Sequence, residues 1–97
     1  MSNLDVYREE IDAIDKELIR LFEKRMNVVL NVARYKKDHN MDIFQNSREE
    51  EVINKAVNNI VNKDYAKEVT EFITSTMEIS RGLQKRKIEG IENLDWL

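Results

Sequence analysis

The sequence predicts an all-α fold of three helices, the first of them very long, with a core shared between two copies of the chain. Three observations predict it. Apolar residues recur at helical 3-4 spacing through three successive stretches. Turn chemistry is scarce, with Gly 2 and Pro 0 in 97 residues. A charged fraction of 36% beside 41% hydrophobic suits long helices that have one wet and one dry face.

The first helix is expected from Leu4 to about His39. Its dry stripe is Leu4, Tyr7, Ile11, Ile14, Leu18, Leu21, Val28 and Val32. Arg25 and Lys36 stand where that spacing asks for an aliphatic residue. At about 1.5 Å per residue the helix would be roughly 54 Å long. A compact domain of this size has a radius of gyration of about 12–13 Å and a diameter of roughly 30–35 Å. The overhanging stripe has to be covered by another chain, most simply in a two-fold dimer, and the modest core of so short a chain points the same way. Ser2 or Asn3 is expected to cap the start. Asp5, Glu9 and Glu10 lie near the positive end of the helix dipole, and Arg34, Lys36 and Lys37 near the negative end. Asn40 is the expected stop.

Residues 39–46 read as a loop. Ser47, with Glu50 three residues on, forms a capping-box pattern for a second helix, whose face is Val52, Ile53, Ala56, Val57, Ile60 and Val61 and which Asn62 and Lys63 close. Asp64 is expected to cap a third helix with the stripe Ala66, Val69, Ile73, Met77 and Leu83, ending among Lys85, Arg86 and Lys87 before Gly90. Residues 1–97 read as one domain with its core at about 4–88. Residues 89–97 form a tail whose Ile91, Leu94, Trp96 and Leu97 either dock on the bundle or fray.

Composition excludes several functions. A net charge of −3 argues against a general basic patch for nucleic acid or an anionic membrane. The absence of Cys removes disulfides, thiolate nucleophiles and Cys-type metal sites, and fits a cytoplasmic protein. The N-terminus has no basic and apolar signal region, and no apolar run approaches the roughly 20 residues of a membrane span. A soluble intracellular protein is expected. His39, with no Cys or acidic residue at ligand spacing, reads as a surface residue, so no metal site is expected.

The informative residues are polar ones at dry positions. At about 100° per residue, Glu49 falls in line with Ile53, Ala56 and Ile60. Ser80 and Gln84 fall in line with Val69, Ile73 and Met77. Together with Arg25 and Lys36 they point five polar side chains at the interior of one small bundle, where a buried charge costs several kcal/mol unless it is paired or faces a ligand. Each has an ordinary structural explanation as well. Arg25 and Glu49 could form an ion pair, Lys36 could snorkel to water, and Ser80 could bond the carbonyl four residues back. Gln84 could be half exposed near its helix end, and Glu49 could be a first-turn acid. The conjunction favours a site, because three helices each place a polar group on a dry face. Arg8 lies 17 residues before Arg25, about 25 Å along the axis, and cannot join it within one chain. If two long helices cross antiparallel near residue 20, Arg8 of one chain comes opposite residue 32 of the other, between Arg25 and Lys36. The resulting pocket, with cations from both chains, suits a small dianion.

These residues also carry a family resemblance. Arg8 with Ile11-Asp12-x-Ile14-Asp15, Leu18-x-x-Leu21-Phe22-x-x-Arg25, Val32-x-x-x-Lys36, Arg48-Glu49 and Ser80-x-x-x-Gln84 together resemble the all-helical class of chorismate mutases over roughly residues 4–88. The resemblance implies an intertwined homodimer of three-helix subunits with two equivalent sites, converting chorismate to prephenate in the shikimate route to phenylalanine and tyrosine. It implies that Arg25 and the partner chain's copy of Arg8 hold the substrate carboxylates and that Lys36 contacts a carboxylate and the ether oxygen. It further implies that Glu49 binds the ring hydroxyl, Ser80 supports a carboxylate and Gln84 donates to the ether oxygen, with Arg48 beside the site. Three residues before Arg48 the family commonly has an acid, and here stands Gln45, whose amide oxygen can still accept the hydroxyl's hydrogen bond. A pericyclic rearrangement needs no nucleophile, metal, redox cofactor or proton shuttle, and no cofactor is expected. The alternatives are an isochorismate pyruvate lyase on the same fold and a non-catalytic helical dimerisation or regulatory module. A pure dimerisation module would have little reason to keep polar residues at dry positions.

Overall fold

The structure, a computed structural model, describes residues 2–89. Helix α1 spans Asn3–Asp38, α2 spans Asn46–Asn58, a 3₁₀ turn spans Lys63–Tyr65, and α3 spans Ala66–Ile88. Among the described residues there is no strand, and no helix is long and apolar enough to cross a membrane. The tail residues Ile91, Leu94, Trp96 and Leu97 lie outside the described residues.

Helix α1 begins at a complete capping box, in which Ser2 Oγ accepts from the Asp5 N–H and the Asp5 carboxylate accepts from the Ser2 N–H. It ends where Asn40 takes φ 53°. The Met41 N–H bonds the Lys36 carbonyl and the Asn40 N–H bonds the Lys37 carbonyl, at 2.8 and 3.3 Å. This is a Schellman closure, and Asn tolerates its left-handed position better than most non-Gly residues. His39 caps the helix end exposed, with its ring stacked on Tyr35 at 3.9 Å.

Three expected boundaries are corrected. Helix α2 starts before Ser47, with Gln45 at its N-cap and no side-chain cap bond, so the Ser47–Glu50 box does not form. The same helix stops at Asn58, which leaves Ile60 and Val61 outside it and Val61 wholly exposed. The chain then turns on Asn62, whose Oδ1 accepts from the Asp64 N–H at 3.0 Å. Asp64 therefore lies inside the 3₁₀ turn instead of capping α3, which begins two residues later with Tyr65 at its cap.

Helix α3 is the centre of the chain, packing against both α1 and α2. Its buried residues are Thr76, Met77, Ser80 and Gln84, and α1 adds Ala33. Only Ala33 and Met77 form a buried apolar core among the described residues. The stripe of α1 is open to solvent in this single chain, from Leu4 at 54% exposure to Ile14 at 58%. The chain is 54 Å long with a radius of gyration of 16.7 Å, well above the compact value of about 12–13 Å.

Candidate active site

The C-terminal half of α1, the loop after it, the first turns of α2 and the last turns of α3 surround one cavity of about 170 Å³. Arg25, Lys36, Gln45, Arg48, Glu49, Ser80 and Gln84 all line it. Val32, Ile43, Val52 and Met77 form its apolar walls. Arg8 is not among the lining residues, and is exposed on the overhanging half of α1.

Each polar group is held by a specific partner. Arg25 Nη1 donates to Ser80 Oγ at 2.6 Å, and Ser80 Oγ donates in turn to the Thr76 carbonyl at 2.8 Å. Ser80 thus makes the four-back bond expected of a helical serine and still orients the guanidinium. Lys36 Nζ donates to the Ile43 carbonyl at 2.7 Å and to Gln84 Oε1 at 3.4 Å. An ammonium carries three N–H donors, so a third remains for a ligand. The contact to Gln84 Oε1 leaves that amide's nitrogen to donate elsewhere. Gln45 spends its own amide nitrogen on the Asp42 carbonyl at 2.8 Å, which leaves its oxygen as an acceptor. Arg48 bonds Glu51 at 2.7 Å, and Glu51 also meets Lys55 at 3.0 Å. Those two cations, Lys55 first, hold the Glu51 carboxyl below the usual carboxylate range on the solvent side.

The Arg25–Glu49 ion pair is not formed. Glu49 pairs instead with Arg81, which sequence reading missed. A signal for Arg81 was present, since it lies four residues after Met77 and three before Gln84, on the same buried face. A long cation near a helix end reads as a snorkelling side chain, and that hid it.

Electrostatics follow from this geometry. Burial lowers the pKa of Arg25, and the neighbouring positive charge of Arg48 lowers it further. Burial likewise lowers Lys36, while the Glu49 carboxylate opposes that shift. Both cations are therefore under-solvated, and an anion entering the cavity would relieve them. Among the described residues no cluster of three His, Asp or Glu side chains could hold a metal ion.

Fold and cavity together define an all-helical protein, among the described residues, with one cavity lined by four cations and one acid. Residues 7–85 match the family model described as chorismate mutase type II, and the chain belongs to that family. It is 28% identical over 95 residues to a bifunctional chorismate mutase/prephenate dehydratase of Buchnera aphidicola from Acyrthosiphon pisum, covering 95% of this chain and 24% of the relative. The counterpart from Schizaphis graminum is 30% identical over 93 residues, or 92% of this chain and 24% of the relative. The T-protein of Haemophilus influenzae is 43% identical over 49 residues, or 50% of this chain and 13% of the relative. The chain thus spans at most about a quarter of the length of these relatives. No solved structure matches it significantly.

Proposed function

We propose that the protein is a chorismate mutase of aromatic amino-acid biosynthesis, rearranging chorismate to prephenate at a site completed by a second copy of the chain. The observation that carries this reading is the hydrogen-bonded pair Lys36–Gln84 beside Arg25 in one walled cavity. Family membership and the two bifunctional relatives support it.

Chorismate is a flexible dianion in which an ether C–O bond breaks as a new C–C bond forms, with no net gain or loss of electrons or protons. Arg25, held by Ser80, and the partner chain's copy of Arg8 grip the two carboxylates, drawing the side chain over the ring into a compact chair-like geometry. The free N–H of Lys36 and the amide nitrogen of Gln84 meet the ether oxygen as it gains negative charge. Donors fixed beforehand in a partly desolvated cavity stabilise that charge without reorganising. Glu49 and the Gln45 oxygen accept from the ring hydroxyl, and Arg48 adds positive potential at the rim.

The activity is tested by mixing purified protein with chorismate and following loss of the substrate's ultraviolet absorbance together with formation of prephenate. Release of pyruvate from isochorismate with chorismate untouched would make the protein a lyase, and no turnover of either would make it a non-catalytic module. The shared site has its own test. Arg8→Ala and Arg25→Ala should each be inactive, and their mixture should regain about one quarter of wild-type activity, because half the dimers are mixed and each carries one intact site. A mixture that stays dead after confirmed subunit exchange would sink the shared-site arrangement.

A further inference from the structure

The proposed function leaves one cation of the cavity without a task. Arg81 Nη1 reaches from α3 to Glu49 Oε1 on the first turn of α2, across 32 residues of sequence. Its guanidinium lies over the Phe44 ring, with Cζ 5.1 Å from the centroid. The pair is largely withdrawn from water, with side-chain exposures of 29% for Arg81 and 19% for Glu49. Among the described residues Glu49 is the only acid lining the cavity. The cavity's other cations are engaged elsewhere, Arg25 with Ser80, Lys36 with Ile43 and Gln84, and Arg48 with Glu51.

We propose that Arg81 is a positioning residue that acts through Glu49, holding one carboxylate oxygen so that the other faces the cavity as an acceptor for a substrate hydroxyl. The inference deepens the proposed function and rests on it. Two physical effects follow. A Glu side chain alone on a helix turn samples several rotamers, whereas a charge-assisted bond to a guanidinium stacked on an aromatic ring holds it in one. Glu49 would also repel a dianion in the same cavity, and the positive charge of Arg81 offsets that repulsion. Arg25, Lys36 and Arg48 are then left to act on the substrate's charge. Because Arg81 also rests on Phe44, it fastens the loop that presents the Ile43 carbonyl to Lys36.

The test is a double-mutant cycle on the full chain with Arg81→Met, Glu49→Gln and the double variant, each checked for folding by thermal melting. In the wild-type background Arg81→Met should lower kcat/KM by about tenfold or more, with a rise in KM, whereas in the Glu49→Gln background it should cost less than about threefold. Arg81→Lys keeps the charge and should recover part of the loss. Arg81→Gln carries the same cycle should the Met variant not fold. A second readout does not depend on turnover. The Arg81 guanidinium should give slowly rotating, resolved NMR signals in the wild-type protein, and Glu49→Gln should collapse them. Equal kinetic costs in both backgrounds, or guanidinium signals indifferent to Glu49→Gln, would overturn the positioning role while leaving the mutase reading intact. A folded wild-type protein that does not turn over chorismate would overturn both.

Discussion

Lys36 and Gln84 share a hydrogen bond, and their different proton chemistry sets how the cavity responds to pH. The Lys36 ammonium donates only while protonated, and burial has moved its pKa below the ordinary lysine range. The sign for stability is that the unfolded chain binds this proton more tightly. Burying the charged lysine therefore opposes folding at neutral pH, and that cost disappears as pH rises through the unfolded value. For catalysis the sign is reversed, since the rate falls as the ammonium deprotonates. A bound dianion favours the charged form, so the alkaline limb of kcat/KM, which reports the free enzyme, should lie at lower pH than that of kcat. Gln84 does not titrate, and the wild-type rate should be flat from weakly acidic to neutral pH. Gln84→Glu replaces a permanent donor by a carboxyl of reference pKa about 4.3. It should lose about a hundredfold or more in kcat at neutrality, as for deletion of an oxyanion-hole donor, and recover as pH falls. Profiles of both proteins, with folding checked at each pH, decide the matter. A flat, fully active Gln84→Glu profile would remove Gln84 from the ether oxygen.

At the scale of elements, hydrogen bonds made in the connecting loops account for where the helices begin. The chain between α1 and α2 is drawn in by the Lys36 bond to the Ile43 carbonyl and by the Gln45 bond to Asp42, so α2 begins while that loop is still closing. Ser47 is then already helical, and its capping potential goes unused. Further on, Asn62 makes the cap bond that the sequence pattern had placed at Asp64. Asn62→Ala should therefore cost about 1 kcal/mol, a fall in melting temperature of roughly 4–8 °C for a domain of this size. Ser47→Ala should stay within about 0.5 kcal/mol of wild type. Thermal melts at one fixed protein concentration would check both, and a larger loss from Ser47→Ala would restore the capping box.

For the whole molecule, Ala33 and Met77, the two buried apolar residues among those described, are a very small core for a chain 54 Å long. In the proposed dimer the exposed stripe of α1 would supply the missing core, and covering each half-exposed side chain would contribute roughly 1 kcal/mol. Ile14, 58% exposed in one chain, separates the two situations. Ile14→Asp would be nearly neutral on a solvated face, but would cost about 3 kcal/mol or more if the face is buried against a partner. The expected result is a halved mass by sedimentation, a lower melting temperature and loss of turnover. An unchanged mass and melt would mean that the stripe faces water and that the site is built from one chain alone.

What the sequence by itself determined is whatever depends on local periodicity and backbone chemistry. The three helices, the Ser2 cap and the Asn40 stop were legible because spacing and φ preference act within a few residues. Five of the candidate side chains, Arg25, Lys36, Glu49, Ser80 and Gln84, were legible as cavity-facing for the same reason, since a polar residue in an apolar stripe reveals its direction without knowledge of its partner, whereas Gln45 and Arg48 were pointed to only by the family resemblance. The partners themselves were decided only by the tertiary structure. Which cation meets Glu49 depends on how α3 rotates against α2, and that rotation is set by side-chain packing between segments far apart in the chain. Arg25 therefore went to Ser80 and Arg81 took the acid. Arg8 marks the limit of a single chain, since it is exposed on α1 and away from the cavity, and its part in the proposed site depends on a second copy that the mixing experiment tests.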